Sequence, residues 1–448
     1  MISTIKKIFV VCCFCLSSFC FAEGERVVVN VNEGVMKAIK IALHLHGNGY
    51  DKKSPVIQRF LEVVQNDLQS TFLFKAIPNA AFMQYLKGVD SEPAYALWRT
   101  INAQYLMNAE ITIANEQLTV KFVLYDILSE RPISTFSVSG SASEWRKAAH
   151  MVANGVYERI IGEKGYFDTK ILYVDIQKSR RGIRRHRLAM MDYDGHNVQY
   201  ITNGNTMVLT PRFSPKGDEF CFFAYKEKIV NGRRIPLSGS VYRYNLHTKK
   251  TQLIAQFKGM TYAPRYSPDG NSMIFSLSKH GSSSIYRLDL ITKKVTKLTK
   301  GRCIDTSPCY SPDGKYIVFN SDRGGTPQLY IMEADGSNIR RLSFGKGRYA
   351  TPVWSPRGDW IAFTRFGAEG FFIGVIHPDG TGERMLAAGY LVESPSWSPN
   401  GRVVMFANQN PGRIDQLYSV DITGYNKHII KTPGNAIDPE WSAKTGMR

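Results

Sequence analysis

Pro308-Cys309-Tyr310-Ser311-Pro312-Asp313-Gly314 is one copy of a motif, Pro-x-aromatic-Ser-Pro-x-Gly, that recurs through the second half of the chain. Further copies begin at Pro211, Pro264, Pro352 and Pro395, and a decayed sixth, Pro-Glu-Trp-Ser-Ala-Lys-Thr, begins at Pro439. The motif serines, Ser214, Ser267, Ser311, Ser355, Ser398 and Ser442, are spaced 53, 44, 44, 43 and 44 residues apart. A period in the forties is the length of one four-stranded propeller blade. The rest of the period fits that unit. After the Ser-Pro-Asp-Gly turn comes an apolar strand, Tyr316–Phe319, then a polar loop, then a second apolar strand, Leu329–Met332. Asp335-Gly336 follows and predicts a hairpin, because glycine takes a positive φ at no steric cost. A short last strand, Arg341–Ser343, completes the blade.

Counting strands outward from these copies predicts how the ring closes. Ile171–Val174 matches the second strand of a blade, and Leu188–Asp192 and Val198–Ile201 supply the third and fourth. Five full blades follow, and the chain ends just after a lone first strand at Glu440-Trp441. The C-terminal strand is therefore expected to join the 171–202 strands as the innermost strand of a sixth blade. Closure of this kind removes the open sheet edges. The aromatic positions Phe213, Tyr266, Tyr310, Trp354, Trp397 and Trp441 are expected to pack between blades.

Residues 23–162 read as a small α/β domain. Arg26–Val31 has strand character, and Ser54-Pro55 is a helix-start signal. Behind it, Ile57, Phe60, Leu61, Val64 and Leu68 recur at helical spacing. Leu118–Leu124 is a strand. A second long helix starts near Ser143, buries Trp145, Ala149, Val152, Val156 and Ile160, and stops at Gly162. Residues 163–170 link this domain to the propeller at 171–448. Residues 1–22 form a signal peptide: Lys6 and Lys7, an apolar run from Ile8 to Cys20, and cleavage after the small residue Ala22. No stretch of the mature chain is apolar over the length a membrane span needs.

The formal charge is +19, and loss of Lys6 and Lys7 with the signal leaves +17. Such an excess favours acidic partners, and export argues against nucleic acid among them. The densest basic cluster runs from Lys178 to Arg187. Cys221, Cys303 and Cys309 are the cysteines beyond the signal. An odd number precludes a complete disulfide framework; Cys303 and Cys309 could pair, although buried free thiols are the expectation. No Gly-x-Ser-x-Gly elbow, His-Glu-x-x-His or phosphate-cradling loop occurs. Asp192-Tyr193-Asp194-Gly195 and Asp335–Asn338 lack the terminal Glu of a calcium loop and read as hairpin turns. His44 and His46 alternate along a strand and read as packing residues. No cofactor and no metal are expected, and no enzymatic activity.

These features together resemble the TolB family. Beyond the propeller repeats, Glu144-Trp145-Arg146 with His150, then Val156-Tyr157-Glu158 and Gly162–Ile171, resemble that family's last helix and domain junction, so the resemblance spans essentially the whole mature chain. It implies a periplasmic, monomeric adaptor that acts in outer-membrane maintenance and cell division. Its partner Pal, a peptidoglycan-associated lipoprotein, would bind the propeller mouth; TolA would bind the start of the mature chain, Glu23, Gly24, Glu25, Arg26, Val27, Val28, Val29, Asn30, Val31 and Asn32. Contact with peptidoglycan and the outer membrane would be indirect, without membrane insertion. The resemblance puts Pal contacts in the residues just before the inner-strand proline: Tyr262 and Ala263 before Pro264, and Asp305, Thr306 and Ser307 before Pro308. By position in the ring, Leu209, Thr210, Ala350, Thr351, Glu393 and Ser394 join them. Two rivals are an exported six-bladed hydrolase or lactonase, which needs acidic and His ligands converging on the channel, and a glycan-binding propeller, which needs loop aromatics.

Overall fold

The computed structural model describes residues 38–47, 55–178, 184–230, 233–257, 260–279, 281–410, 412 and 414–443. The signal peptide with Ala22, the strand expected at Arg26–Val31, the segment Glu23–Asn32 and the centre of the basic cluster lie outside the described residues.

The amino-terminal domain is a five-stranded mixed sheet backed by two long helices. Its strands run in the order Phe74–Ala76, Ile39–Gly47, Tyr105–Ala114, Gln117–Asp126, Arg131–Ser141. Helix α1 spans Pro55–Ser70, a short α2 spans Tyr95–Thr100, and α3 spans Trp145–Ile161. The apolar stripes Ile57, Phe60, Val64, Leu68 and Ala149, Val152, Val156 pack on one sheet face through Leu118, Val120 and Phe122. Gly162 ends α3 at φ +80°, donating its N–H to the Glu158 carbonyl, a geometry that costs glycine little. His44 is core: its ring nitrogen Nδ1 lies 3.0 Å from Asn108 Oδ1.

Six four-stranded antiparallel sheets follow, and the fold is the expected six-bladed β-propeller. The innermost strands are Met207–Phe213, Met260–Tyr266, Asp305–Tyr310, Arg348–Trp354, Leu391–Trp397 and Asn435–Trp441. Asn435–Trp441 pairs antiparallel with Lys170–Lys178, and Arg184–Asp192 and Gln199–Tyr200 complete that sheet. The ring is thus closed by the two ends of the propeller sequence.

The Ser-Pro-Asp-Gly turn explains its own composition. The Ser311 hydroxyl donates to Asp313 Oδ1 at 2.6 Å and accepts the Tyr316 N–H at 2.9 Å. That hydroxyl, then the Lys315 N–H, holds the Asp313 carboxyl below its ordinary value. The motif aromatics are interior packing: Trp397 Nε1–H donates to the Val353 carbonyl of the neighbouring blade at 2.9 Å, and Tyr266 donates to Glu219 at 2.9 Å. Cys221, Cys303 and Cys309 are free thiols, and burial pushes Cys221 up to about 12. The longer first period is an extended hairpin, Glu219–Val230 with Arg233–Asn245.

Candidate functional site

Connections alternate between the two ends of a propeller. The Ser-Pro-x-Gly turns and the outer hairpins share one end, the turn face; the loops entering each innermost strand share the other, the loop face. The amino-terminal domain sits on the turn face. Asn426 donates to the Ser70 carbonyl of that domain at 2.7 Å, and in the linker behind it Lys164 accepts from Asn400 at 3.0 Å and Glu163 pairs with Arg357 at 3.0 Å. All three propeller residues belong to turns of that face. One apolar cluster runs through both domains, joining Tyr157, Tyr166 and Phe167 to Tyr193, Met405 and Trp441.

At the centre of this junction lies a buried polar latch. Asp67 of α1 accepts from Tyr193 Oη at 2.6 Å and pairs with His150 Nδ1 of α3 at 2.7 Å. Arg146 of α3 pairs with Asp194, and Lys170 with Asp192. Burial alone would lower the His150 pKa, but the carboxylates of Asp67, Asp194 and Asp192 outweigh it and hold it above the ordinary 6.5. Burial raises the Asp67 carboxyl in spite of its partners. Asp67, His150 and Asp194 bring possible ligand atoms within 4.8 Å of one another, the one such group among the described residues. His150 Nδ1 is hydrogen-bonded to Asp67 at 2.7 Å, Nε2 stands 3.9 Å from Asp194, and the arrangement joins the domains.

The loop face opens on the channel. Each innermost strand carries a bulge where its register with the next strand shifts. The residue before each motif proline has a positive φ: Thr210 +46°, Ala263 +49°, Ser307 +53°, Thr351 +46°, Ser394 +57° and Asp438 +48°. A pre-proline residue prefers extended backbone, so the ring repeats an unfavoured geometry six times. Such strain costs of order 1–3 kcal/mol per residue and clusters where a surface must be shaped.

All six of these residues line one cavity of about 320 Å³ at the mouth side of the channel. Among the residues expected to meet a partner, Thr210, Ala263, Thr306, Ser307, Thr351 and Ser394 are brought together there. Leu209 packs into an inter-blade cluster with Cys221 and Phe223. Asp305 is 1% exposed and receives Arg323 Nη2 on both oxygens at 3.0 Å. Ala350 and Glu393 flank the cavity in sequence; burial, then Asp438 and Asp415, raises the Glu393 carboxyl. For Tyr262 the described structure is its backbone, paired with Ser276. Asp438 completes the ring: it accepts the Thr210 N–H at 3.2 Å and the Ser394 hydroxyl at 3.0 Å. The sequence reading missed Asp438, although its place before Pro439 repeats the rule that found the others. It also missed Arg212, Arg265 and Glu440, the residues following the motif prolines.

Residues 157–445 match the family model of the TolB beta propeller domain, and residues 27–133 match that of the TolB amino-terminal domain. The chain belongs to the TolB family. The Tol-Pal system protein TolB of Rickettsia felis is 49% identical over 438 residues, covering 95% of this chain and 96% of that protein. The Rickettsia bellii TolB is 50% identical over 443 residues, covering 95% and 97%. The crystal structure of TolB from Acinetobacter baumannii superposes with a TM-score of 0.80 at 27% identity, over 91% of this chain and 97% of that one. No helix among the described residues is long and apolar enough to cross a membrane.

Proposed function

We propose that this member of the TolB family is a periplasmic adaptor of the Tol–Pal system that binds Pal through the loop-face mouth of the propeller and TolA through Glu23–Asn32. One observation carries the first half. The amino-terminal domain and the linker behind it cover turn-face positions, while six shaped, small-residue positions ring a cavity at the opposite end. Small side chains let a partner approach the backbone closely, and loops on a rigid scaffold are where binding concentrates. The formal charge of +19, or +17 without Lys6 and Lys7, favours an acidic partner face and faster association at low salt. Among the residues lining these two cavities the carboxylates are Asp438 and Glu440.

Titration calorimetry with purified Pal tests the mouth. Thr306→Ile, on the cavity wall, should weaken binding at least about tenfold, because the added bulk holds a partner off the mouth. A substitution in the Asp335-Gly336 hairpin should leave affinity unchanged. The reverse pattern would put the site on the wrong face. For TolA, strand addition by Val27–Val31 to a partner's sheet edge is the proposed mode. Removing Glu23–Asn32 should abolish TolA binding and leave Pal binding intact; retained TolA binding would refute it.

A further inference from the structure

The residue following each motif proline lies one step along the innermost strand from the ring of bulges. In blade order these are Arg212, Arg265, Cys309, Val353, Ser396 and Glu440. Two guanidiniums therefore share one carboxylate. The pairing is loose: Arg212 Nε lies 3.5 Å and Arg265 Nη1 3.8 Å from the Glu440 oxygens, beyond ordinary hydrogen-bond length. Arg212 is 6% exposed. Its Nη1 donates to the Pro211 carbonyl at 2.7 Å, while Nε has no hydrogen-bond partner. Thr210 Oγ1, just above it, has none either. Buried donors left open in this way are uncommon and call for a ligand or water.

Arg212 and Arg265 line the mouth cavity of about 320 Å³ and also a second one, of about 210 Å³, below it. They form the partition between the two. The mouth cavity is at the small end of ligand pockets, which run from about 300 to 1,000 Å³. Asp438 on its wall is occupied by the Thr210 N–H and the Ser394 hydroxyl, and makes no ion pair with either arginine.

We propose that this partition is an anion site that accepts a single carboxylate group entering from the mouth, held by Arg212 and Arg265. A planar guanidinium matches a carboxylate through paired N–H donors, and the buried setting strengthens the attraction. A phosphate dianion is disfavoured, because Glu440 and Asp438 stand beside the same space. The carboxylate can belong to a free small acid or to an Asp or Glu side chain of a partner docked at the mouth. Glu440 is the resident competitor: it loosely occupies the donors that the incoming group would use.

The test uses the chain without residues 1–22 and trifluoroacetate as the probe, followed by fluorine NMR line broadening. Wild type should broaden the line saturably, and acetate should reverse this better than inorganic phosphate. Glu440→Gln should tighten binding about threefold or more, because it removes the competing charge. Arg212→Gln with Glu440→Gln, which keeps the charge balance of the partition, should weaken it about tenfold relative to Glu440→Gln alone. A urea midpoint for each variant separates lost binding from lost fold. Absence of saturable broadening, better competition by phosphate, or weaker binding by Glu440→Gln overturns the proposal. The source is read by adding Pal, an arm that rests on the proposed mouth site. Release of the probe assigns the carboxylate to the partner, and a ternary complex assigns it to a free acid. Failure of Pal to bind would count against the mouth site alone, since the trifluoroacetate arms stand without it.

Discussion

Trp441→Ala tests whether the last strand holds the ring shut. Trp441 is 5% exposed and pairs with Ile171 across the closing strand. Its indole stands edge-on to Tyr166 at 5.5 Å, and its Nε1–H donates to Thr169 Oγ1 at 2.7 Å. Truncating a buried tryptophan costs about 3–5 kcal/mol. The lost hydrogen bond adds roughly 0.5–1.5 kcal/mol. Thr169 Oγ1 still donates to the Tyr166 carbonyl, so no orphan donor adds to that. The expected loss is about 3.5–6.5 kcal/mol, a large part of the roughly 5–15 kcal/mol that holds a typical protein folded. Urea unfolding followed by tryptophan fluorescence and far-UV circular dichroism would measure it as a lowered midpoint. Tyr425→Ala, at a site 65% exposed, should change stability by less than about 0.5 kcal/mol. A loss under about 1 kcal/mol for Trp441→Ala would refute the closure argument, since a blade can spare an indole that its neighbours do not need. Deleting residues after Ile437 should be more severe still and leave the propeller unfolded.

The latch predicts a pH dependence. His150 has a raised pKa in the folded state, so its stabilising contribution is full below the unfolded value of 6.5 and is lost as pH rises through the higher folded value. His150→Gln should flatten that part of a stability-against-pH curve measured by urea midpoints; an unchanged slope would assign it to other groups. Arg323→Ala leaves Asp305 buried without its cation and should cost roughly 3 kcal/mol, read as a lowered thermal midpoint; Asp305 substitutions are therefore poor probes of partner contact. Ala263→Val places a β-branched residue at φ +49° and should cost about 1–3 kcal/mol, whereas Ala263→Asn should be tolerated, because Asn adopts that conformation readily. Equal stability of the two variants in thermal unfolding would contradict the bulge geometry.

The repeat made the propeller legible because a blade's turns need fixed chemistry at fixed spacing. Ser311 and Asp313 bond their own turn, so the local sequence carries the local structure. Closure was legible for the same reason: the strand count leaves Glu440-Trp441 without any other blade to complete. The docking of the amino-terminal domain on the turn face was not legible. It depends on Asp67, His150 and Tyr193 meeting, and Asp67 and Tyr193 are 126 residues apart. The positive φ values before the prolines run against the local preference of those residues, and the ring imposes them. A hint lay in composition, since Thr, Ala, Ser and Asp at those positions are small. Asp305 looked available because its partner Arg323 lies 18 residues away with no local signature. Asp438 was overlooked because the sixth motif copy had lost its Pro-x-Gly, although the position before its first proline was intact.

Hydrogen exchange of the mature chain with and without Pal tests the adaptor reading most directly. The account predicts slowed exchange in the peptides spanning 207–210, 260–263, 305–307, 348–351 and 391–394, on the loop face. Exchange should be unchanged in the turn-face hairpins around Asp335-Gly336 and Asp379-Gly380. Protection of those hairpins, with the loop-face peptides unaffected, would contradict it.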